Sequence, residues 1–158
     1  MKIHTGKVFF VGAGPGDPKL MTVRGAEVLR HADVIVYDRL VNRELLCNAK
    51  DGADLIYCGK MPDCHALSQM EIQQLLVDQA RRNKKVVRLK GGDPCMFGRV
   101  GEEAEHCARH GIPYEIVPGV TSGIAAPMYA GIPLTHRDLS SSVAFVTGHQ
   151  RADGKRKD

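Results

Sequence analysis

Short apolar runs alternate with stretches whose apolar residues recur every three or four positions, and the rhythm holds along most of the chain. Val8-Phe9-Phe10-Val11 reads as a first strand running into a glycine turn. Residues 22–31 predict a helix, with Thr22 able to cap its start and Val23, Ala26, Val28 and Leu29 as its apolar side. Val34-Ile35-Val36-Tyr37 is a second strand, 42–49 a short helix, and Leu55-Ile56-Tyr57-Cys58 a third strand. Ser68 and Glu71 have the spacing of a capping box, and Ile72, Leu75, Leu76 and Ala80 then repeat at helical intervals. Arg81, Arg82, Lys84 and Lys85 suit the negative end of that helix. A strand at 86–89 follows, then a helix over 101–110 stopped by Gly111, a fifth strand at Tyr114-Glu115-Ile116-Val117, and a small-residue helix over 122–129.

Strands and helices alternating at this length predict an α/β fold, a mainly parallel sheet with helices on both faces. The rhythm changes after Ile132-Pro133-Leu134. Residues 1–134 are therefore expected to form one α/β domain. Residues 135–158 are expected to hold a crossover, one further strand at Val143-Ala144-Phe145-Val146-Thr147, and a polar tail. A lone strand leaves its edges and a face uncovered, so it joins the main sheet or begins a second domain.

Composition narrows the function classes. The 158 residues suffice for one sizeable core, and 43% hydrophobic with 25% charged is ordinary for a globular protein. No apolar run approaches the roughly 20 residues of a membrane span, and the basic start precedes only a short strand-like run, so no signal peptide is expected. The net charge is +4, of which the terminal residues Arg151, Lys155, Arg156 and Lys157, against Asp153 and Asp158, supply half. No basic stripe with interleaved aromatics exists, which argues against a nucleic-acid partner. Cys47, Cys58, Cys64, Cys95 and Cys107 form no Cys-x-x-Cys pair and, with neighbouring histidines, no zinc spacing. Reduced thiols in a cytoplasmic setting and no bound metal are the expectation.

The chemistry concentrates where strands end. Val86-Val87-Arg88-Leu89-Lys90 runs straight into Gly91-Gly92-Asp93-Pro94. In open α/β sheets ligands sit beyond the carboxyl ends of strands. Glycines there bare the backbone to a ligand, and Asp93 offers an acceptor for a hydroxyl or amine. Gly12-Ala13-Gly14-Pro15-Gly16-Asp17 matches only part of a dinucleotide fingerprint, because Asp17 takes the third glycine's place. A ligand wall and a plain tight turn fit it equally. Asp38 follows an apolar strand directly and is a helix-start partner or a catalytic acid. Lys60 is a solvated charge or an anion contact. Thr121 and Ser122 open a helix after Pro118-Gly119, as caps or as ligand contacts. Guanidinium forks suit carboxylates, which brings in Arg39, Arg88, Arg99 and Arg137, with surface ion pairs as the alternative for Arg39, Arg99 and Arg137.

Taken together and in this order, the Gly12 loop, Tyr37-Asp38-Arg39-Leu40-Val41, Gly59-Lys60, Gly91-Gly92-Asp93 and Pro118-Gly119-Val120-Thr121-Ser122 resemble the tetrapyrrole methylases. The resemblance runs over 7–149. Tyr-Asp-Arg-Leu-Val with Gly-Lys, and Gly131-Ile-Pro-Leu-Thr-His-Arg137, point to the branch that methylates uroporphyrinogen III. It implies S-adenosylmethionine as methyl donor, S-adenosylhomocysteine as by-product, and precorrin-2, on the way to sirohaem and cobalamin, as product. It implies Asp38 as general base and Lys60 as a second functional group. Pro15, Gly91, Gly92, Asp93, Met96, Thr121 and Ser122 fall at cofactor positions, and Arg88 at a functional one. Met61 stands where the family most often has a basic residue, and Met96 where it often has isoleucine. The resemblance further implies a homodimer and a second α/β domain that completes the cofactor cleft. A chain ending soon after 143–149 is then a truncated form, expected to turn over little. Two alternatives stay open: a non-catalytic binding or dimerisation module of the same fold, and a sister methylase acting on another tetrapyrrole.

Overall fold

The computed structural model describes residues 6–59, 67–82 and 84–148. Five strands form one sheet: β1 (Lys7–Gly12), β2 (Val34–Tyr37), β3 (Asp54–Tyr57), β4 (Lys85–Lys90) and β5 (Tyr114–Val117). Their spatial order is β3-β2-β4-β1-β5, and every pairing is parallel. Four helices accompany them: α1 (Val23–Arg30), α2 (Gln69–Arg81), α3 (Val100–Arg109) and α4 (Ser122–Tyr129), with 3₁₀ turns at Pro18–Leu20 and Arg43–Asn48.

The central strands are apolar on both faces because both faces are covered. Val8, Phe10, Val34, Val36 and Val86 pack with Ile72, Leu76, Val77 and Ala80 of α2 and with Val100, Ala104 and Cys107 of α3. Val11, Ile35, Val87 and Leu89, one position out of phase, pack with Val28 and Leu29 of α1 and with Leu45 of the second 3₁₀ turn. Capping follows the residue chemistry. Thr22 accepts from the Gly25 N–H, and Ser68 and Glu71 form the reciprocal box expected of them.

Four expectations change. Val23 is 78% exposed, and Gly25 takes its place among the buried residues of α1. A Cβ on Gly25 would lie 3.2 Å from a Val11 methyl, so α1 sits close on the sheet at its glycine and turns Val23 outward. The segment after β2 is 3₁₀ rather than α-helical, capped by Asn42. β3 begins one residue earlier than the apolar run, because ladder pairing with β2, not hydropathy, sets its ends. Residues 143–148 carry no regular structure, so the further strand at 143–147 is not formed among the described residues. Strand propensity without a ladder partner leaves backbone groups unpaired, and no described strand pairs with this stretch.

The chain divides into two compact units, Met1–Ser122 and Gly123–Asp158. This division falls inside α4, ahead of the boundary at Leu134 read from the pattern. The first unit holds the whole sheet. In the second, the Phe145 ring lies against Gly123, and a single bridge joins His136 to Ser140. No described helix is long and apolar enough to cross a membrane.

At the edge of the sheet Glu115 of β5 ties three elements together. It accepts from Lys7 Nζ of β1 at 2.7 Å and from Arg24 of α1 at 2.9 Å. The Lys7 hydrogen bond is the main reason its carboxyl is held below the ordinary glutamate range; partial burial opposes this and Arg24 adds to it. A depressed carboxylate pKa stabilises the fold above the ordinary range, and the contribution is lost as pH falls through the lowered value. Glu115→Gln is therefore expected to lower Tm at about pH 7, with the gap to the parent closing by about pH 3. Thermal melts across that range measure it.

Candidate active site

The strand order dictates where a ligand has room. The chain leaves β1 and β2 through α1 and the second 3₁₀ turn, which cover one face. It leaves β4 through α3, which covers the other. β4 lies between β1 and β2, so its carboxyl end is flanked on both sides by connections departing to the opposite face. Such a switch point opens a crevice above the strand ends.

Three loops meet there through bare backbone. Gly14 and Gly92 exchange hydrogen bonds, N–H to O at 3.2 and 2.7 Å. Ala13 N–H donates to Lys90 O at 2.8 Å. A Cβ on Gly12 would lie 2.5 Å from the Gly119 Cα, and one on Gly119 would overlap the Gly92 carbonyl oxygen. Gly92 itself has φ +66°, a backbone that favours glycine. A Cβ built there would meet the Thr121 Cα at 3.8 Å, an ordinary van der Waals contact. The structure thus brings the Gly91-Gly92-Asp93 turn, the Gly14-Pro15 loop and Thr121 to one place. Ser122, exposed, adjoins it in sequence, and Met96 is half-buried just beyond, its N–H donating to Asp93 O at 3.3 Å.

Asp93 is used differently from the expectation of an acceptor kept for ligand. Its Oδ1 accepts from Cys95 N–H at 2.8 Å and its Oδ2 from Gly119 N–H at 2.9 Å. It braces the loop after β5 against the loop after β4, and only its remaining lone pairs face outward.

Asp38, at the end of β2, is partly exposed. Its Oδ1 accepts from Leu40 N–H at 3.1 Å and its Oδ2 from Arg88 Nη2 at 3.2 Å. Arg88 is only 4% exposed, which corrects the expectation that it reaches out to substrate carboxylates. Its other donors turn inward, Nη1 to the Val36 and Leu89 carbonyls and Nε to Glu103 Oε1 at 3.4 Å. A β-strand puts alternate residues on one face, so Arg88 and Lys90 share the face covered by α3. There the wholly buried Glu103 meets them both. It accepts from Lys90 Nζ at 3.1 Å on each oxygen and from Gln69 Nε2 at 3.0 Å. Burial, and next the Arg88 charge, push the Lys90 ammonium below the ordinary lysine range, with Glu103 opposing. Cys107, buried nearby, is pushed up to about 11 by burial and then by Glu103.

Glu103 and Lys90 were not among the candidates, although both left a signal. Two cations on one face of an apolar strand require a buried acid. Glu103 stands three residues after Val100 and four before Cys107, on the apolar stripe of α3.

Arg39 and Arg99 do not join the cluster. Arg39 is exposed beside Asp38. Arg99 is exposed at φ +57° and forks onto Glu102 at 2.9 and 2.7 Å. Arg137 sits in the turn of the second unit. Lys60 lies outside the described residues. Among the described residues no three His, Cys, Asp or Glu side chains gather as a metal site.

A parallel sheet with glycine turns meeting at its switch point, and an acid at the end of β2, is the arrangement in which open α/β sheets take ligands. The chain belongs to the Tetrapyrrole (Corrin/Porphyrin) Methylases, whose family pattern matches residues 7–158. It is 62% identical over 148 residues to a uroporphyrinogen-III C-methyltransferase of Bacillus subtilis (strain 168), covering 94% of this chain and 58% of that protein. The structure of a Thermus thermophilus uroporphyrin-III C-methyl transferase complexed with S-adenyl homocysteine aligns at TM-score 0.72 and 47% identity, over 87% of this chain and 53% of that one. A cobalamin biosynthetic enzyme, cobalt precorrin-4 methyltransferase, aligns at TM-score 0.76 and 39% identity, over 86% of this chain and 55% of that one. The chain spans little more than half the length of these relatives.

Two substitutions test how the crevice is held. Glu103→Ala leaves the buried Lys90 ammonium without its acid and removes the inner partner of Arg88, and is expected to cost about 3–5 kcal/mol of unfolding free energy. Gly119→Ala forces the three loops apart, at about 1–3 kcal/mol. Urea denaturation of each variant beside the parent reads both.

Proposed function

We propose that this chain carries the part of a methyltransferase that seats S-adenosylmethionine and presents a proton acceptor to uroporphyrinogen III, for carbon methylation toward precorrin-2. The observation that carries the reading is the meeting of the Gly14, Gly92 and Gly119 turns at the switch point, with Asp38 at the end of β2 held by Arg88, in a chain of this family. Glycine turns at strand ends let a ligand approach the backbone closely. The contacts assigned to the donor are the Pro15 loop, Gly91 and Gly92, Asp93 through its free lone pairs, Met96 by dispersion, and Thr121 and Ser122 at the start of α4.

S-adenosylmethionine, when bound, supplies an electrophilic methyl on a sulfonium. An electron-rich pyrrole carbon forms the new C–C bond as the S–CH₃ bond breaks, the electron pair stays on sulfur, and a ring proton must leave. Asp38 takes that proton in this reading, since its half-exposed carboxylate keeps acceptor capacity beyond the Leu40 and Arg88 hydrogen bonds. Arg88 acts by holding Asp38, not by meeting substrate. Arg39, Arg99, Arg137 and Lys60 are assigned to the acidic side chains of the macrocycle. A cytoplasmic homodimer completes the reading. Its supports are the free thiols of Cys47, Cys58, Cys95 and Cys107 and the exposed apolar side chains of Leu139 and Val146.

Calorimetry of the chain with S-adenosylhomocysteine tests the donor seat, and mass analysis of uroporphyrinogen III incubated with S-adenosylmethionine and the whole protein tests the transfer. Binding and methylated product are expected; neither appearing favours the binding or dimerisation module. Asp38→Asn is expected to lower kcat by about 100-fold or more while leaving S-adenosylhomocysteine affinity unchanged.

A further inference from the structure

We infer that Glu103 is a positioning residue for Asp38, acting through Arg88, with Lys90 and Gln69 locking it in place. This rests on the reading of Asp38 as the proton acceptor.

The path is continuous and buried at its inner end. Glu103 is wholly enclosed, Arg88 is 4% exposed, and the Arg88 fork spans from Glu103 Oε1 to Asp38 Oδ2. Four N–H donors of three side chains aim at the Glu103 carboxylate, which fixes its orientation from α2 and β4 at once. Arg88 Nη1 donates to two carbonyls of the sheet itself, those of Val36 and Leu89. Asp38 is therefore held on one oxygen by the backbone of its own loop and on the other by a buried guanidinium.

The charges point the same way. Arg88 and Lys90 face one fully buried acid, so the inner three carry a net positive charge, and Asp38 is the acid that balances it.

The economical arrangement for stability would be apolar. Replacing a buried ion cluster by hydrophobic residues of similar volume is often neutral or stabilising. Retaining two cations and an acid inside the core beside Val86, Ala104 and Cys107 has a functional counterpart here, the placement of a carboxylate to within a fraction of an ångström.

A double-mutant cycle separates this role from a purely structural one. In the whole protein, Glu103→Gln is expected to lower kcat by about 100-fold with both KM values unchanged. In an Asp38→Asn background the same change is expected to cost no more than about twofold. Arg88→Lys, which keeps the charge against Glu103 but removes the span to Asp38, is expected to repeat the pattern and stands in should Glu103→Gln fold poorly. Equal losses in both backgrounds overturn the positioning role while leaving Asp38 as acceptor intact. Full activity of Asp38→Asn alone overturns the underlying reading instead. A readout free of turnover is the ¹³C-carboxyl resonance of Asp38 in the chain itself. It is expected to move in Arg88→Lys while that of Asp33, paired with Lys50, stays in place. An unmoved Asp38 signal overturns the inference.

Discussion

Glu103 is completely enclosed between a strand and two helices, and it is charged. Leaving such a group unpaired in a core costs several kcal/mol, so everything around it is arranged to meet it. Arg88 and Lys90 must lie on one face of β4, α3 must present Glu103 rather than its neighbours, and α2 must begin at the level of Gln69. These conditions fix the height of α3 and the start of α2 relative to β4. They also fix the end of β2, because the Arg88 fork reaches Asp38 and the Val36 carbonyl. One buried carboxylate thus sets the register of three elements, α2, α3 and β2, around β4.

Glycine does for the loops what Glu103 does for the core. Where the turns after β1, β4 and β5 meet, Gly12 and Gly119 approach each other and the Gly92 carbonyl more closely than a side chain on either would allow. Asp93 then holds Gly119 from the β4 side, and the Gly14–Gly92 pair extends contact between the neighbouring turns. The two devices occupy opposite ends of the same short stretch: residues 88 and 90 look into the core, 91 and 92 into the crevice. The rigidity a site needs reaches the glycines through a strand that is pinned electrostatically two residues earlier.

Much of this was legible from residue order, for physical reasons that differ by element. β1, β2 and β4 could be read from unbroken apolar runs because they are buried on both faces, and α2 from its caps. Asp38 was visible as a strand-end acid. Val23 misled because helical spacing predicts a stripe but not how closely a glycine lets the helix settle. Residues 143–147 misled because a strand is a pairing, and propensity cannot supply the partner. Asp93 bonds to the backbone of two loops and Arg88 into the core, and the direction of a side chain is a tertiary fact. Glu103 could have been found from the paired cations of β4 and its own place on the apolar stripe of α3.

The same inward turn clarifies how labour divides among the charged groups. Arg24, Lys7 and Glu115 sit at the rim in water, where ion pairs are worth little and salt weakens them. Arg39 is exposed, whereas Arg88 is buried. A guanidinium held by two carbonyls and two acids is a fixed strut. It joins a buried residue of α3 to the carboxylate at the end of β2.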